Sequence, residues 1–320
     1  MPIVINNLNI SLDEGYDQLK LKVAKKLKIN SRHIKDFKII KESIDARKKN
    51  DIKLNYSVKI ICDNERKIVS RSGGRNIKIE EENLENELLC GTKKMENRPI
   101  IVGMGPAGMF AGLLLAEMGY KPLIIERGER IEDRTLTVNK FWNTGKLNFE
   151  SNVQFGEGGA GTFSDGKLTT RIKDKKCGFI LDTFVKYGAP EEIIYSGKPH
   201  IGTDNLKVVV KNIRNRIVEL GGEILFKNKL EDLIIEHKRL RAVVINGNKV
   251  CCDNLILAIG HSSRDTYEML YKRDVFMEPK AFAIGVRVEH SQHMIDVNQY
   301  GKFAGHPKLK ASDYRLVYKS

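Results

Sequence analysis

The 320-residue chain has no apolar run of the ~18 residues that a membrane-crossing helix needs. Residues 100–118 come nearest, but four glycines and a proline interrupt them. The N-terminus, MPIVINNLNI, has neither the basic start nor the apolar core of a signal peptide. These absences point to a soluble, cytoplasmic protein. Cysteine is scarce: Cys62, Cys90, Cys177, Cys251 and Cys252 are odd in number, irregularly spaced and form no C-x-x-C. That excludes a disulfide framework and a metal site of the zinc type, so no metal is expected. Adjacent cysteines on a strand point to opposite faces, so Cys251–Cys252 reads as structural rather than redox-active. Internal repeats and low-complexity tracts are also missing.

What is present is a globular composition, 41% hydrophobic and 30% charged. The length suggests two or three domains. The net charge of +14 divides evenly, with 22 basic against 15 acidic residues in 1–98 and 33 against 26 in 99–320. An even spread favours nucleic acid less than a concentrated patch would.

Residues 1–70 read as a small α/β accessory domain. Ile3–Ile10, Asp36–Ser43 and Lys53–Cys62 have strand character. Glu14–Leu27 carries helical spacing through Tyr16, Leu19, Val23 and Leu27. Residues 71–98 read as a linker, and 99–320 as the core with the start of a substrate or cap region.

The core opens on a dinucleotide fingerprint. Ile100–Val102 is a buried strand, Gly103-x-Gly105-x-x-Gly108 follows, and a helix runs through Met118 to Gly119. Lys121–Glu126 is a second strand ending on an acid. Gly103 allows a sharp turn, Gly105 lets backbone approach a pyrophosphate, and Gly108 allows close helix–sheet packing. Pro106 suits a first helical turn, and with Ala107 it sits where free N–H groups meet phosphate. Glu126, 21 residues after Gly105, accepts from an adenosine ribose and repels a 2′-phosphate. The neighbouring Arg127 blurs that second argument.

A glycine-rich block follows, FGEGGAGTFSDGKLTTR at 155–171. Gly156, Gly158, Gly159, Ala160 and Gly161 expose backbone N–H groups to a flavin edge or phosphate. Thr162, Ser164, Asp165 and Lys167 set polar groups beside them. Downstream, Lys207–Leu220 is helical, and a strand and hairpin after it would bring Leu230 near an adenine through its backbone. In VCCDNLILAIGHSSRD, Asn254–Ile259 is a buried strand ending at Ala258 and Gly260, where backbone approaches a cofactor. His261 has two readings, a proton donor or flavin contact, and a capping residue.

These blocks, with FAIGVRVEHSQHMID at 282–296, resemble a bacterial family of FAD-dependent dehydrogenases or NAD(P)/FAD-dependent oxidoreductases that carry a small N-terminal α/β domain. The resemblance covers roughly 99–320, with weaker support at 1–70. It implies an α/β fold with a Rossmann-like FAD-binding domain of the two-dinucleotide type, FAD as cofactor and NAD(P)H as electron donor. FAD would be held by Gly103, Gly105, Gly108, Glu126 and the glycines of 156–161. It implies neither a substrate nor catalytic residues. Arg287, His290 and His293 are placed where they could face substrate or flavin. Members extend well past this length, and the late segment that closes an FAD site is not found, so the chain reads as a fragment. Two rivals stand beside the oxidoreductase: a flavin-dependent tRNA-modifying protein that docks through the basic N-terminal domain, and a non-catalytic FAD-binding protein. No oligomeric state follows.

Overall fold

A computed structural model describes residues 1–80, 91–92, 94–164, 166–168, 170, 172, 174, 176–282, 284–286 and 288–314. The chain divides into two units, one of residues 1–88, 194–197 and 282–320, the other of 89–193 and 198–281.

The first unit begins with β1 (Ile3–Ser11) and α1 (Tyr16–Leu27), then β2 (Asp36–Asp45), β3 (Lys53–Ile61), α2 (Glu65–Ser72) and β4 (Ile77–Ile79). The sheet order is β2-β3-β1-β4, and its pairs are antiparallel. Alternation in β1 and β3 sends Ile3, Ile5, Tyr56, Val58 and Ile60 inward, where they meet Leu19, Val23 and Leu27 of α1. The register of β1 on β3 shifts between Ile5 and Leu8. Asn7 takes φ 56° there, a conformation asparagine reaches more readily than most residues.

The second unit is of the Rossmann type. It comprises β5 (Ile100–Val102), α3 (Pro106–Glu117), β6 (Leu123–Glu126), α4 (Ile131–Thr144), α5 (Lys176–Lys186), α6 (Thr203–Glu219), β7 (Glu223–Phe226), β8 (Leu230–Glu236), β9 (Arg239–Ile245), β10 (Asn248–Cys251), β11 (Leu255–Leu257) and α7 (Arg264–Lys272). The strands β11-β5-β6-β7 form a parallel sheet in that order, and β10-β9-β8 an antiparallel one. The central strands β5 and β6 are buried on both faces, whereas β11, expected from the sequence to be buried, lies at the sheet edge and leaves Ile256 and Leu257 exposed. On one face Ile101 and Ile124 pack with Met109 and Leu113 of α3 and Val209, Ile213 and Ile217 of α6. On the other, Ile100, Val102, Leu123 and Ile125 pack with Leu230, Leu233 and Val243 of the antiparallel sheet and Leu270 of α7. One-residue alternation along β5 and β6 thus feeds two separate cores.

Helix α3 sits close to β6 because of Gly112. A Cβ there would lie 2.4 Å from Ile124 Cδ1. The two cysteines of the pair do part company: Cys251 is exposed and Cys252 is buried, its thiol donating to the Asn254 carbonyl at 3.1 Å.

Residues 282–320 were expected in the core but group with the first unit. The reason is apolar: Tyr300, at the end of α8 (Gln292–Tyr300), and Leu309 are buried among the side chains of β1, β3 and α1. Lys308 Nζ adds a bond to the Glu14 carbonyl at 2.7 Å. Among the described residues no helix is long and apolar enough to cross a membrane.

Candidate functional site: a cavity at the carboxyl ends of the parallel strands

In an open parallel sheet, ligands bind beyond the carboxyl ends of the strands. A cavity of about 550 Å3 lies there in the second unit, lined by the ends of β5, β6 and β11, the start of β8 and the start of α7. That volume lies in the usual range for small-molecule sites.

The three fingerprint glycines do different work. Gly103 has φ 99°, and a Cβ there would fall 2.4 Å from the Ala258 carbonyl oxygen. Gly108 does not line the cavity; its Cβ would lie 1.8 Å from the Gly103 carbonyl oxygen. Gly105 lines the cavity, and its Cβ would meet nothing nearer than Gly159 Cα at 3.8 Å. Two glycines are therefore required by the turn, and one leaves space for a ligand. Gly105 is the N-cap of α3, and Pro106 and Ala107 line the cavity beside it. The first-turn N–H groups have no helical acceptor and carry the positive end of the helix dipole.

Glu126 is buried at the end of β6. Its Oε2 accepts from Met104 N–H at 2.7 Å and its Oε1 from Gly128 N–H at 2.8 Å. These bonds fix the carboxylate, and each oxygen keeps a lone pair for a further donor.

The glycine block is held from behind. Arg134 of α4 is fully buried. Its guanidinium donates to the carbonyls of Asn152 (3.0 Å), Val153 (3.0 Å), Gly156 (3.3 Å), Glu157 (2.6 Å) and Gly159 (2.9 Å), and Phe163 covers its face at 4.8 Å. Burial lowers its pKa to about 10, against the opposing pull of Glu126 and Glu157, so it stays a cation at neutral pH. A Cβ on Gly156 would strike Arg134 Cδ at 2.4 Å. The loop is thus wrapped around an arginine.

Sequence analysis placed the whole block at the cofactor, and the structure divides it. Gly156, Gly159 and Ala160 line the cavity. Gly158 and Thr162 are turned inward: a Cβ on Gly158 would lie 2.4 Å from Thr162 Oγ1, and that buried hydroxyl has no partner among the described residues. Gly161 and Ser164 are absent from the lining, and the Ser164 hydroxyl donates to the Gly161 carbonyl at 3.2 Å. Lys167 is also outside the lining and bridges to His200 as an isolated β-pair. Asp165 lies outside the described residues.

Leu230, Ala258, Gly260 and His261 line the cavity. His261 Nδ1 is 3.3 Å from Ser262 Oγ. His290 and His293 belong to the first unit, where His290 contacts Tyr314, and neither lines the cavity. Arg287 lies outside the described residues. Lining residues with no sequence signal include Gln154, Phe155, Asn228, Lys229, Thr266 and Tyr267. Tyr267 donates to the Gly260 carbonyl at 2.9 Å and so holds the turn after β11.

Glu157, beside the cavity-lining Gly156, is fully buried. Its Oε2 accepts from Ile131 N–H at 2.7 Å and from Arg214 Nη1 at 2.8 Å, while Oε1 has no partner among the described residues. Burial outweighs those bonds and pushes its pKa up to about 7. Arg214 also pairs with Glu132 at 2.6 Å, which lowers that carboxyl to about 2. Its charge is therefore shared between two acids.

Comparisons with known proteins agree with a composite chain. Residues 1–61 match a family described as a domain of unknown function. Residues 281–320 match one described as FAD-dependent protein, C-terminal domain-like. An uncharacterized protein of Clostridium beijerinckii is 56% identical over all 320 residues, which span 60% of its length. The thiamine thiazole synthase of Aeropyrum pernix is 26% identical over 158 residues, 49% of this chain and 47% of that one. Among solved structures, THI4 of Thermovibrio ammonificans aligns with a TM-score of 0.37 at 18% identity, over 56% of this chain and 63% of that one. The L-proline dehydrogenase of P. horikoshii aligns with a TM-score of 0.35 at 13% identity, over 50% and 52%. The fold assignment rests on the strand order and fingerprint above.

Proposed function

We propose that the second unit binds FAD, and that the protein acts as an FAD-dependent oxidoreductase with NAD(P)H as electron donor. The observation that carries the reading is Gly105. It sits at the N-terminus of α3, on the cavity wall, where a Cβ would come no nearer than 3.8 Å to a neighbour. A pyrophosphate needs that combination of bare backbone and free N–H groups. The matches to a FAD-dependent protein domain at 281–320 and to a thiamine thiazole synthase support the same reading.

Each wall has a task in holding such a ligand. The α3 N-terminus neutralises phosphate charge, Glu126 accepts from ribose hydroxyls, and the glycine loop supplies a backbone surface held rigid by Arg134. The apolar contacts of Val102 and Leu230 exclude water from the inner end. When bound, FAD supplies two-electron redox chemistry that no side chain here could provide.

The test is a titration of the purified chain with FAD, read by visible absorption and by thermal shift. A ligand at a hundred times its Kd raises stability by about 2.7 kcal/mol. A bound flavin spectrum with a raised Tm, followed by bleaching with NADH or NADPH, supports the proposal. A folded chain that takes up no FAD overturns it.

A further inference from the structure

The residue after the ribose-binding acid of a Rossmann unit decides a specificity. Where that neighbourhood offers a free arginine, a 2′-phosphate is accommodated; where only the acid faces the ribose, it is repelled. Here the sequence is ambiguous, because Arg127 follows Glu126 directly and both line the cavity.

The structure resolves the ambiguity through the partners of Arg127. Its Nη1 and Nη2 donate to the two oxygens of Asp265 at 2.9 and 3.0 Å, a two-point fork. Its Nε donates to Glu150 at 2.8 Å. One face of the guanidinium lies on the Phe155 ring at 4.4 Å. The other cation of this corner, Lys229, is held by the same two acids, at 2.6 Å from Asp265 and 3.7 Å from Glu150. Two carboxylates thus hold two cations, and both cations are already engaged. Asp265 is the hub: it lies in the first turn of α7, takes both cations, and has its carboxyl held far below the usual range by Arg127 and Lys229.

We propose that Asp265 is a specificity-determining residue, which by occupying Arg127 and Lys229 restricts this cavity to adenine dinucleotides with a free ribose 2′-hydroxyl. The inference rests on the dinucleotide reading above and deepens it. A 2′-phosphate would bring two negative charges to a corner with no unpaired Arg or Lys among the described residues, and would have to displace Asp265 from a bidentate pair. NADP(H) therefore cannot compete for the FAD cavity, and an NADPH donor must be met elsewhere on the protein.

The test uses two probes that differ only in the group at issue, ADP-ribose and 2′-phospho-ADP-ribose, titrated calorimetrically into the intact chain. Wild type should bind ADP-ribose and prefer it at least tenfold. Asp265→Asn keeps the side chain's size and its acceptor for the Thr266 N–H, but releases the fork. It should shift the preference toward the 2′-phosphorylated probe by about tenfold or more, and adding Arg127→Ala should abolish that shift. Glu150→Gln, half-exposed and far easier to accommodate, should move the preference the same way by a smaller factor. An unchanged preference in both Asp265→Asn and Glu150→Gln overturns the inference while leaving the dinucleotide site intact. A wild type that binds neither probe nor FAD overturns both.

Discussion

Arg134 Nη1 lies 2.6 Å from the carbonyl oxygen of Glu157, the shortest of the bonds by which one buried arginine gathers the backbone of 152–159. Those carbonyls face inward because the cation is there, and Gly156 and Gly159 of the same loop line the cavity.

Replacing Arg134 should therefore cost more than a surface charge would. Arg134→Met leaves several buried carbonyls without donors, at 1–3 kcal/mol for each that finds no substitute. We expect a total loss of about 3–5 kcal/mol in urea unfolding. Arg134→Lys should recover little of it, because an ammonium lacks the planar fork that reaches both sides of the loop. A loss under about 1 kcal/mol for Arg134→Met would contradict this account.

The fingerprint glycines should separate stability from binding. Gly108→Ala drives a methyl into the Gly103 carbonyl, and Gly103→Ala meets both a positive φ and the Ala258 carbonyl. Both variants should lower Tm markedly. Gly105→Ala should leave Tm nearly unchanged and weaken FAD binding tenfold or more, since its methyl enters only the cavity. Thermal unfolding without ligand, followed by FAD titration, checks the contrast.

Glu157 predicts a pH dependence with a definite sign. Its pKa is raised from 4.5 to about 7 on folding, so the folded state holds the proton more tightly than the unfolded state. Its contribution to stability is then largest below pH ~4.5 and falls as pH rises through about 7, by ~3 kcal/mol in all. Glu157→Gln should flatten that slope between pH 5 and 8. Urea midpoints across the range in both proteins provide the measurement, and parallel curves would refute it.

Gly112 and Ile124 should be coupled. Gly112→Ala brings a methyl within 2.4 Å of Ile124 Cδ1 and should cost about 1–3 kcal/mol by overpacking. Ile124→Val removes that carbon. The double variant should be more stable than the sum of the two single losses allows, which a double-mutant cycle on unfolding free energies would show.

The sequence made some of these features plain and hid others for physical reasons. The turn from β5 into α3 was legible because glycine is demanded at Gly103 and Gly108 by close backbone approach. Glu126 was legible by its place at the end of β6. The block at 156–162 was read as facing the ligand throughout, since glycines were taken to mean exposed N–H groups. Gly158 serves packing against Thr162 instead, a distinction that composition does not carry. Arg134 left no trace in the sequence because its acceptors are main-chain carbonyls, which every residue possesses. Asp265 was equally silent, lying 138 residues from its partner Arg127. The segment 282–320 was assigned by its place in the chain, whereas the apolar side chains of Tyr300 and Leu309 decide where it packs.

That last placement bears on how the protein is made. The sheet of the first unit is complete by Ile79, but Tyr300 and Leu309 in its core come more than two hundred residues later. From residue 89 to 281 the chain belongs to the second unit, apart from 194–197. During synthesis from the N-terminus, the first unit must wait with part of its apolar interior open while the Rossmann unit emerges and closes. The unit whose sheet is translated first takes its last core side chains from beyond the second.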